Sequence, residues 1–428
     1  MTPSHVRYRI IAVSMLMAFV LYLDRICLAE IVKSASFHAD VALSKPQIGR
    51  LLGIFFFSYA LCQVPTGWIS DRFGARATLT VYIALWSLFT ALTGLVSSFP
   101  ALLAMRLLCG AAEAGAYPTC NALIRRWIPV TARGRASSMI TVGGRIGGTA
   151  APFLTAWLVV SLGHWRPVLW IDGGFGLAIA LAYWLVVRNR PAEHPGANPA
   201  ERALIGQPLD GPRPSARELA GTLREFCGSR NLWLLSLLMF FNNIGWAFLI
   251  TWLPTFLSEQ QHVEAVAGGR MVTLVLGCGM LGQLFGGFFS DWTARRFGLR
   301  KGRIIALSAA GLAGSCGYLG CVSAHSAWGL VGCCGLVSFC SDTGNPPSWA
   351  FVQDIGGRVT AAAIGWCNMW GNFGAGLSAL MVPPLLATGA TLVAGQRHVF
   401  FACAGALALA GVAALGLNAT KPLLAGGR

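Results

Sequence analysis

Acidic residues are scarce in this chain. It has 16 Asp and Glu in 428 residues, against 32 Lys and Arg, and only 11% of its residues are charged. A soluble domain carries roughly 25%, so composition argues against a water-soluble fold. Cysteine pairs with zinc spacing are also missing. Most of the 13 cysteines lie inside apolar runs, among them Cys27, Cys62, Cys109, Cys278 and Cys316. Thiols in that setting are small packing groups rather than a disulfide framework or metal ligands. No phosphate loop is present, because no GKS/T follows the glycine pairs at 143–144 and 147–148. Nor does a nucleophile–base pair stand out. Enzymatic chemistry has no support, and no metal or cofactor is expected.

What the chain has is apolar length: 55% of its residues are hydrophobic. Runs of about 20 apolar residues each are long enough to cross a bilayer as helices. Twelve such spans can be laid out, at 8–30, 47–69, 77–97, 100–124, 136–161, 166–187, 231–257, 270–290, 303–323, 326–351, 359–387 and 397–417. The first imitates a signal peptide. It lacks a small-x-small cleavage site and runs into Asp24-Arg25, so it reads as a retained helix. Residues 188–230, rich in Pro, Arg and Glu, read as a linker. The expectation is an all-α membrane protein with six helices in 1–187 and six in 231–428.

Net charge is +16, which could suggest nucleic acid. The basic residues instead cluster in short loops between apolar runs. With the N-terminus inside, inner segments carry 23 of the 32 Lys and Arg, and outer segments 6. That bias places both termini in the cytoplasm, as expected of a protein of the cell inner membrane.

The halves repeat. Gly67-Trp-Ile-Ser-Asp71-Arg72-Phe-Gly74-Ala-Arg76 follows the second span, and Gly287-Phe-Phe-Ser-Asp291-Trp-Thr-Ala-Arg295-Arg296 follows the eighth. The first copy resembles the G-x-x-x-D-R-x-G-x-R loop of the major facilitator superfamily, and the second is a degenerate version. The resemblance implies two pseudo-symmetric bundles that rock about a central site. Asp71 and Arg72 could be a helix cap and a solvated turn. Their repetition at one topological point favours a gating latch.

Three arginines remain inside spans: Arg25, Arg106 and Arg145. Asp24 and Glu113 accompany them. Ionisable residues at bilayer depth are costly and mark substrate or proton pathways. At 1.5 Å per residue, Arg25 lies roughly 25 Å above the inner end of the first helix and Arg106 about 27 Å above that of the fourth. Glu113 and Arg145 lie lower, at about 16 and 14 Å. Arg106 and Glu113, two turns apart, share a face. Two guanidinium forks at one level would clamp a carboxylate or phosphate. A carboxyl held between burial and a nearby arginine can exchange a proton near neutral pH. Alternatively, Glu113 forms a structural salt bridge with Arg106 or Arg145.

Tyr22-Leu-Asp24-Arg25 is similar to the Y-x-D-R of the anion:cation symporter family. Arg106-x6-Glu113-Ala…Pro118, followed by Arg126-Trp-Ile-Pro129, resembles that family's fourth-helix pattern. Its members include bacterial galactonate, glucarate and hexuronate proton symporters, relatives of vesicular glutamate and sialic acid carriers. The resemblance implies that Arg25 and Arg106 bind the substrate carboxylate, and that Asp24 and Glu113 couple protons. It also implies that Tyr59, Ser348, Trp349 and Asn368 line the site; packing or helix tying is the plainer role for the last two. Arg145 departs from the pattern, where a neutral polar residue is common. It could recruit a second carboxylate or neutralise Glu113, and the two remain open. Asn345-Pro346-Pro347 should kink or break the tenth helix. Asp354 is expected among the basic inner loops, Asp342 in a cap or polar network, and Asp172 has no assigned role.

The implied function is a monomeric transporter that imports a sugar acid, or a related small organic anion, with protons. An organophosphate/phosphate antiporter of the same fold is the alternative, weakened by a seventh span without Arg or Lys. A transporter-like receptor that binds without flux is a third reading, weakened by Asp24 and Glu113. Lipophilic cations do not suit three arginines.

Overall fold

The computed structural model describes residues 2–206, 218–260, 263–324, 326–389 and 392–423, and among these no strand occurs. Arg213, Arg217 and Arg428, counted above with the inner charges, lie outside the described residues. The twelve spans are α1 (Val6–Ile31), α2 (Lys45–Phe73), α3 (Ala75–Thr93), α4 (Phe99–Glu113 and Ala116–Trp127), α5 (Arg133–Leu162), α6 (Arg166–Val186), α7 (Arg230–Thr251), α8 (265–297), α9 (299–322), α10 (Ala327–Thr343 and Asn345–Ile355), α11 (Thr360–Ala387) and α12 (Leu392–Leu415). Nine described helices are long and apolar enough to cross a membrane by length and composition, one of them containing both α8 and α9. Large apolar side chains such as Phe153, Val160 and Leu380 remain exposed, as lipid-facing residues should.

Three local features depart from the span limits read off the sequence. The α4 span is broken after Glu113. Pro118 has no N–H to offer the carbonyl four residues back, and Gly115 lies so close to the Tyr82 ring that a side chain there would clash. Helix runs on through the expected loop between α8 and α9, turning at Gly298, where φ is 79°. Gly74 makes the equivalent turn between α2 and α3 at φ 92°, a backbone region favourable to glycine alone. The expected break in α10 falls at Gly344, just before the Asn345-Pro346-Pro347 run.

Helix pairing repeats with a six-helix offset. In the first half α1 packs on α5, α2 on α4 and α3 on α6; in the second α7 packs on α11, α8 on α10 and α9 on α12. The halves meet through α2 against α11 and, symmetrically, α8 against α5. Each half buries its own apolar interior, with Met17, Leu79, Trp86 and Leu123 in the first and Leu235, Phe351 and Ile364 in the second.

Within 188–230, Asn198 and Glu201 are tied to the start of α1. Glu201, on the short helix Pro199–Ile205, is fully buried and accepts hydrogen bonds from the Val6 and Arg7 amides, the Ser4 hydroxyl and the Arg7 guanidinium. It thereby caps α1 with charge at the end where a helix favours an anion. Burial pushes the Glu201 carboxyl up, but these hydrogen bonds more than offset it and hold it below its ordinary 4.5. The clamp is therefore complete above pH 4.5 and is lost as pH falls through the lowered native value. We expect Glu201→Gln to destabilise the protein by about 1–3 kcal/mol at pH 7. In melts of detergent-solubilised protein the difference from wild type should shrink below pH 4.5 and vanish at strongly acidic pH.

Candidate functional site

In the first half the buried charges converge from α1 and α4. Arg25 donates from Nε and Nη2 to one oxygen of Glu113, at 3.1 and 2.9 Å. Its guanidinium is framed by aromatic rings, 4.5 Å from the Tyr59 centroid, 5.0 Å from Tyr22 and 5.3 Å from Phe55. These faces attract a cation without neutralising it. The second Glu113 oxygen is buried and has no hydrogen-bond partner. Arg106 stands beside the pair, 4.6 Å over Phe55, with a long 3.5 Å bond to the Arg25 carbonyl. Its Nε is buried without a partner, and no ion pair engages it among the described residues. Glu113 thus pairs with Arg25, not with Arg106 or Arg145 as weighed from sequence. The roughly 9 Å offset in expected depth lies within the joint reach of the two long side chains.

Asp24 faces the other way. One of its oxygens accepts from the Trp86 indole N–H at 3.1 Å, and the other has no partner. Cys27, one turn along α1, bonds to the Asp24 carbonyl and lies against Asp172 of α6. Asp24 and Asp172 are both buried, so α1 presents a second acidic pocket behind the arginines.

Arg145 pairs across the halves. Its Nη2 donates to both Asp342 oxygens, at 2.6 and 2.9 Å, and its guanidinium lies 4.9 Å from the Trp246 ring of α7. Arg145 therefore does not neutralise Glu113, one of the two roles weighed from sequence. Sequence spacing could not reveal this partner, which comes from the opposite half. Asn345 also donates to Asp342 at 3.0 Å and lies against Gln283. Asn368 donates to Gln63 of α2 at 2.8 Å, a further link between halves, and its carbonyl accepts from Asn372. Ser348 is buried, its hydroxyl donating to the Gly344 carbonyl, and Trp349 is buried within an apolar cluster. The structure brings neither of these two to the arginines.

The model for the Major Facilitator Superfamily matches residues 14–379. The chain belongs to the Major Facilitator Superfamily. It is a multi-pass membrane transporter, not an enzyme. A "probable sulfoacetate transporter" of Cupriavidus necator is 29% identical over 424 residues, covering 98% of this chain and 94% of that protein. A "probable galactarate/D-glucarate transporter" of Escherichia coli K12 is 28% identical over 310 residues, covering 69% and 68%. Among solved structures, the Escherichia coli fucose:proton symporter superposes with TM-score 0.72 at 13% identity, covering 95% of this chain and 97% of that one. A human organic anion transporter gives 0.70 at 19%, covering 95% and 99%. At these identities the two structures establish the superfamily fold.

On this fold the repeated acidic loop forms two matching contacts between halves. Asp71, at the end of α2, accepts from the amides of Ala361 and Ala362 at the start of α11, at 3.0 and 2.8 Å. Asp291, at the end of α8, accepts from Gly134 and Arg135 at the start of α5, at 2.9 and 3.0 Å. Each carboxylate caps a helix N-terminus of the other half, which the helix dipole and its free amides favour. Gly67 permits this approach, since a Cβ there would lie 2.5 Å from the Ala361 carbonyl oxygen. Among the described residues, Arg72 and Arg76 do not cross between halves. Arg72 stacks near Trp68 and Phe73 of its own helix, and Arg76 bonds to the Trp184 carbonyl while its amide holds Asn189. Asp354 joins Arg133 of one half to Arg303 of the other, at 2.8 and 3.0 Å.

Sequence reading missed the neutral partners: Trp86, Gln63, Phe55 and Trp246. Nothing in local spacing distinguishes them from packing residues. Asp342, expected in a cap or polar network, lies in one with Arg145 and Asn345; what spacing did not give is its partner. We expect Asp71→Asn to weaken the closed contact by about 1 kcal/mol, roughly a fivefold shift in the opening equilibrium. Gly67→Ala should open it further. In a background without native cysteines, a cysteine placed at buried Ala361 should react faster with maleimide in both variants.

Proposed function

We propose that this transporter imports an organic anion with protons by alternating access, its substrate a sugar acid (aldonate, aldarate or hexuronate) or a related carboxylate. The observation that carries this reading is the Arg25–Glu113 pair with unpaired Arg106 beside it. Arg25 is held by a single Glu113 oxygen. A proton on Glu113 would release the guanidinium to an incoming carboxylate, so anion and proton would enter together. Asp24 would take a second proton in the pocket behind α1. The names of the relatives, which include sulfoacetate and galactarate/D-glucarate transporters, agree with an anionic cargo.

Residues 1–187 and 231–428 would move as two bodies joined by 188–230, acting as a monomer. The bias of basic residues supports a cytoplasmic linker and cytoplasmic termini, in the inner membrane. The Asp71 and Asp291 contacts would then close the cytoplasmic face and leave the site to be loaded from outside. Tyr59 supports the reading by bracing Arg25. Asn368 and Gln63 would offer polar groups to sugar hydroxyls, and Ser348 and Trp349 would reach the cavity only after rearrangement of α10.

Proteoliposomes challenged with sugar acids, dicarboxylates and sugar phosphates, with internal pH recorded, test this function. Proton influx evoked by one sugar acid is the expected result. A response to phosphate esters alone would favour exchange, and binding without flux a receptor. Arg25→Gln and Arg106→Gln should each weaken binding at least thirtyfold, given about 2–5 kcal/mol for a charged partner removed from a buried pair. Glu113→Gln should retain binding yet abolish proton-driven accumulation. Full accumulation by that variant would remove Glu113 from coupling.

A further inference from the structure

The Arg145–Asp342 ion pair is not needed to bind a single carboxylate, since Arg25 and Arg106 are both present for that purpose. It lies on the site side of the closed contacts, twelve residues along α5 from Arg133 and roughly 18 Å away. Arg145 is partly accessible, its side chain 21% exposed. We propose that Asp342 occupies the position of a second anionic group of the substrate, and that this transporter is built for dianions. The inference rests on the organic-anion reading above and names the class of cargo within it.

Three observations carry it. Asp342 engages only one terminal nitrogen of Arg145, and Nε is buried with no partner. The guanidinium thus retains donors that a planar carboxylate or a sulfonate would use. Asp342, when displaced, keeps a neutral partner in Asn345, beside which the Gln283 amide nitrogen is buried and unpartnered. The exchange would therefore not strand a bare carboxylate in a dry interior, the usual cost of breaking such a pair. Finally, the wall between the two cationic positions is polar and incompletely satisfied. The Tyr22 ring stacks beneath Arg25 and meets Tyr117 edge-on, and both adjoin Gly144, next to Arg145. The Tyr117 hydroxyl is buried without a partner. A chain of hydroxylated carbons with an anionic group at each end would lie along this wall, one end at Arg25 and Arg106 and the other at Arg145.

Exchange of one carboxylate for another also explains how the pair can yield to cargo while Arg145 stays neutralised and Asp342 keeps its hydrogen bond from Asn345. A monoanion carries no group to replace Asp342, so it would leave the halves bridged.

Galactonate and galactarate share a carbon chain and differ by one terminal carboxylate, so their dissociation constants on purified full-length protein provide the test. Wild type should prefer galactarate. Asp342→Asn should tighten galactarate at least tenfold by removing the competing carboxylate, with galactonate changed less than threefold. Arg145→Gln should weaken galactarate at least tenfold and erase the preference. The charge-balanced double variant Arg145→Gln, Asp342→Asn should do the same, and it guards against misfolding from a lone buried acid. Equal shifts for both ligands, or no shift in the Asp342→Asn preference, would overturn the dianion assignment and leave organic-anion transport standing. Failure of wild type to bind either acid, or any organic anion, would remove both readings.

Discussion

A charge inside hydrocarbon is costly unless another helix supplies its counter-charge, and the placement of two of the three membrane arginines follows from that constraint. A helix cannot neutralise its own buried arginine without placing an acid one turn away, and none of the three arginines has one at that spacing. Arg25 on α1 takes Glu113 from α4, and Arg145 on α5 takes Asp342 from α10. Each ion pair is therefore also a restraint between helices. The first holds a bundle together. The second holds two bundles to each other, and so cannot persist unchanged through a cycle in which they separate. Breaking a buried pair without replacement leaves an uncompensated charge. On the proposed reading, motion of the halves and occupancy of the site would thereby be linked electrostatically.

The contacts on the linker side use a different device. Asp71 and Asp291 do not meet a guanidinium as their principal partner; they meet the open amides of a helix start. Such a cap is directional and local, strengthened by the dipole but falling off within a turn. It favours one register between halves and loses most of its value after a small displacement. The site arginines, with long side chains and aromatic platforms, tolerate more movement. A sharp contact at one end and a compliant one in the middle suit halves that rock about a central ligand.

The sequence made the spans, the six-plus-six repeat and the buried charges legible, because each leaves a mark in local composition or period. The glycine-rich acidic loops after α2 and α8 gave the two contact points between halves. Partner choice was not legible in the same way. Depth along a helix ranked Glu113 with Arg145, whereas side-chain reach and rotation around α4 put it with Arg25. Asp342 was visible as an acid near an apolar run, but its partner lies 197 residues away in the opposite half, where no spacing rule applies. The break in α4 is foreshadowed by Gly115 and Pro118, two residues that read as ordinary membrane-helix composition until Tyr82 is seen to fill the gap. Ser348 illustrates the reverse case: its type suits a sugar hydroxyl, yet its own helix satisfies it first.

Adjacent residues on α1 divide the chemistry. Successive side chains on a helix diverge by about 100°, so Asp24 and Arg25 cannot both face the same space. Arg25 turns to Glu113 and the aromatic cage, and Asp24 turns to Trp86 in a dry pocket shared with Asp172. On the proposed reading, anion and one proton would be held on different faces of one helix. The helix itself would be one link between them. Rotation or tilt of α1 that eases Arg25 toward a ligand also changes the packing of Asp24 against α3 and α6. This gives a mechanical reason for the Asp-Arg dipeptide: neighbouring positions convert one backbone movement into two opposed changes of environment.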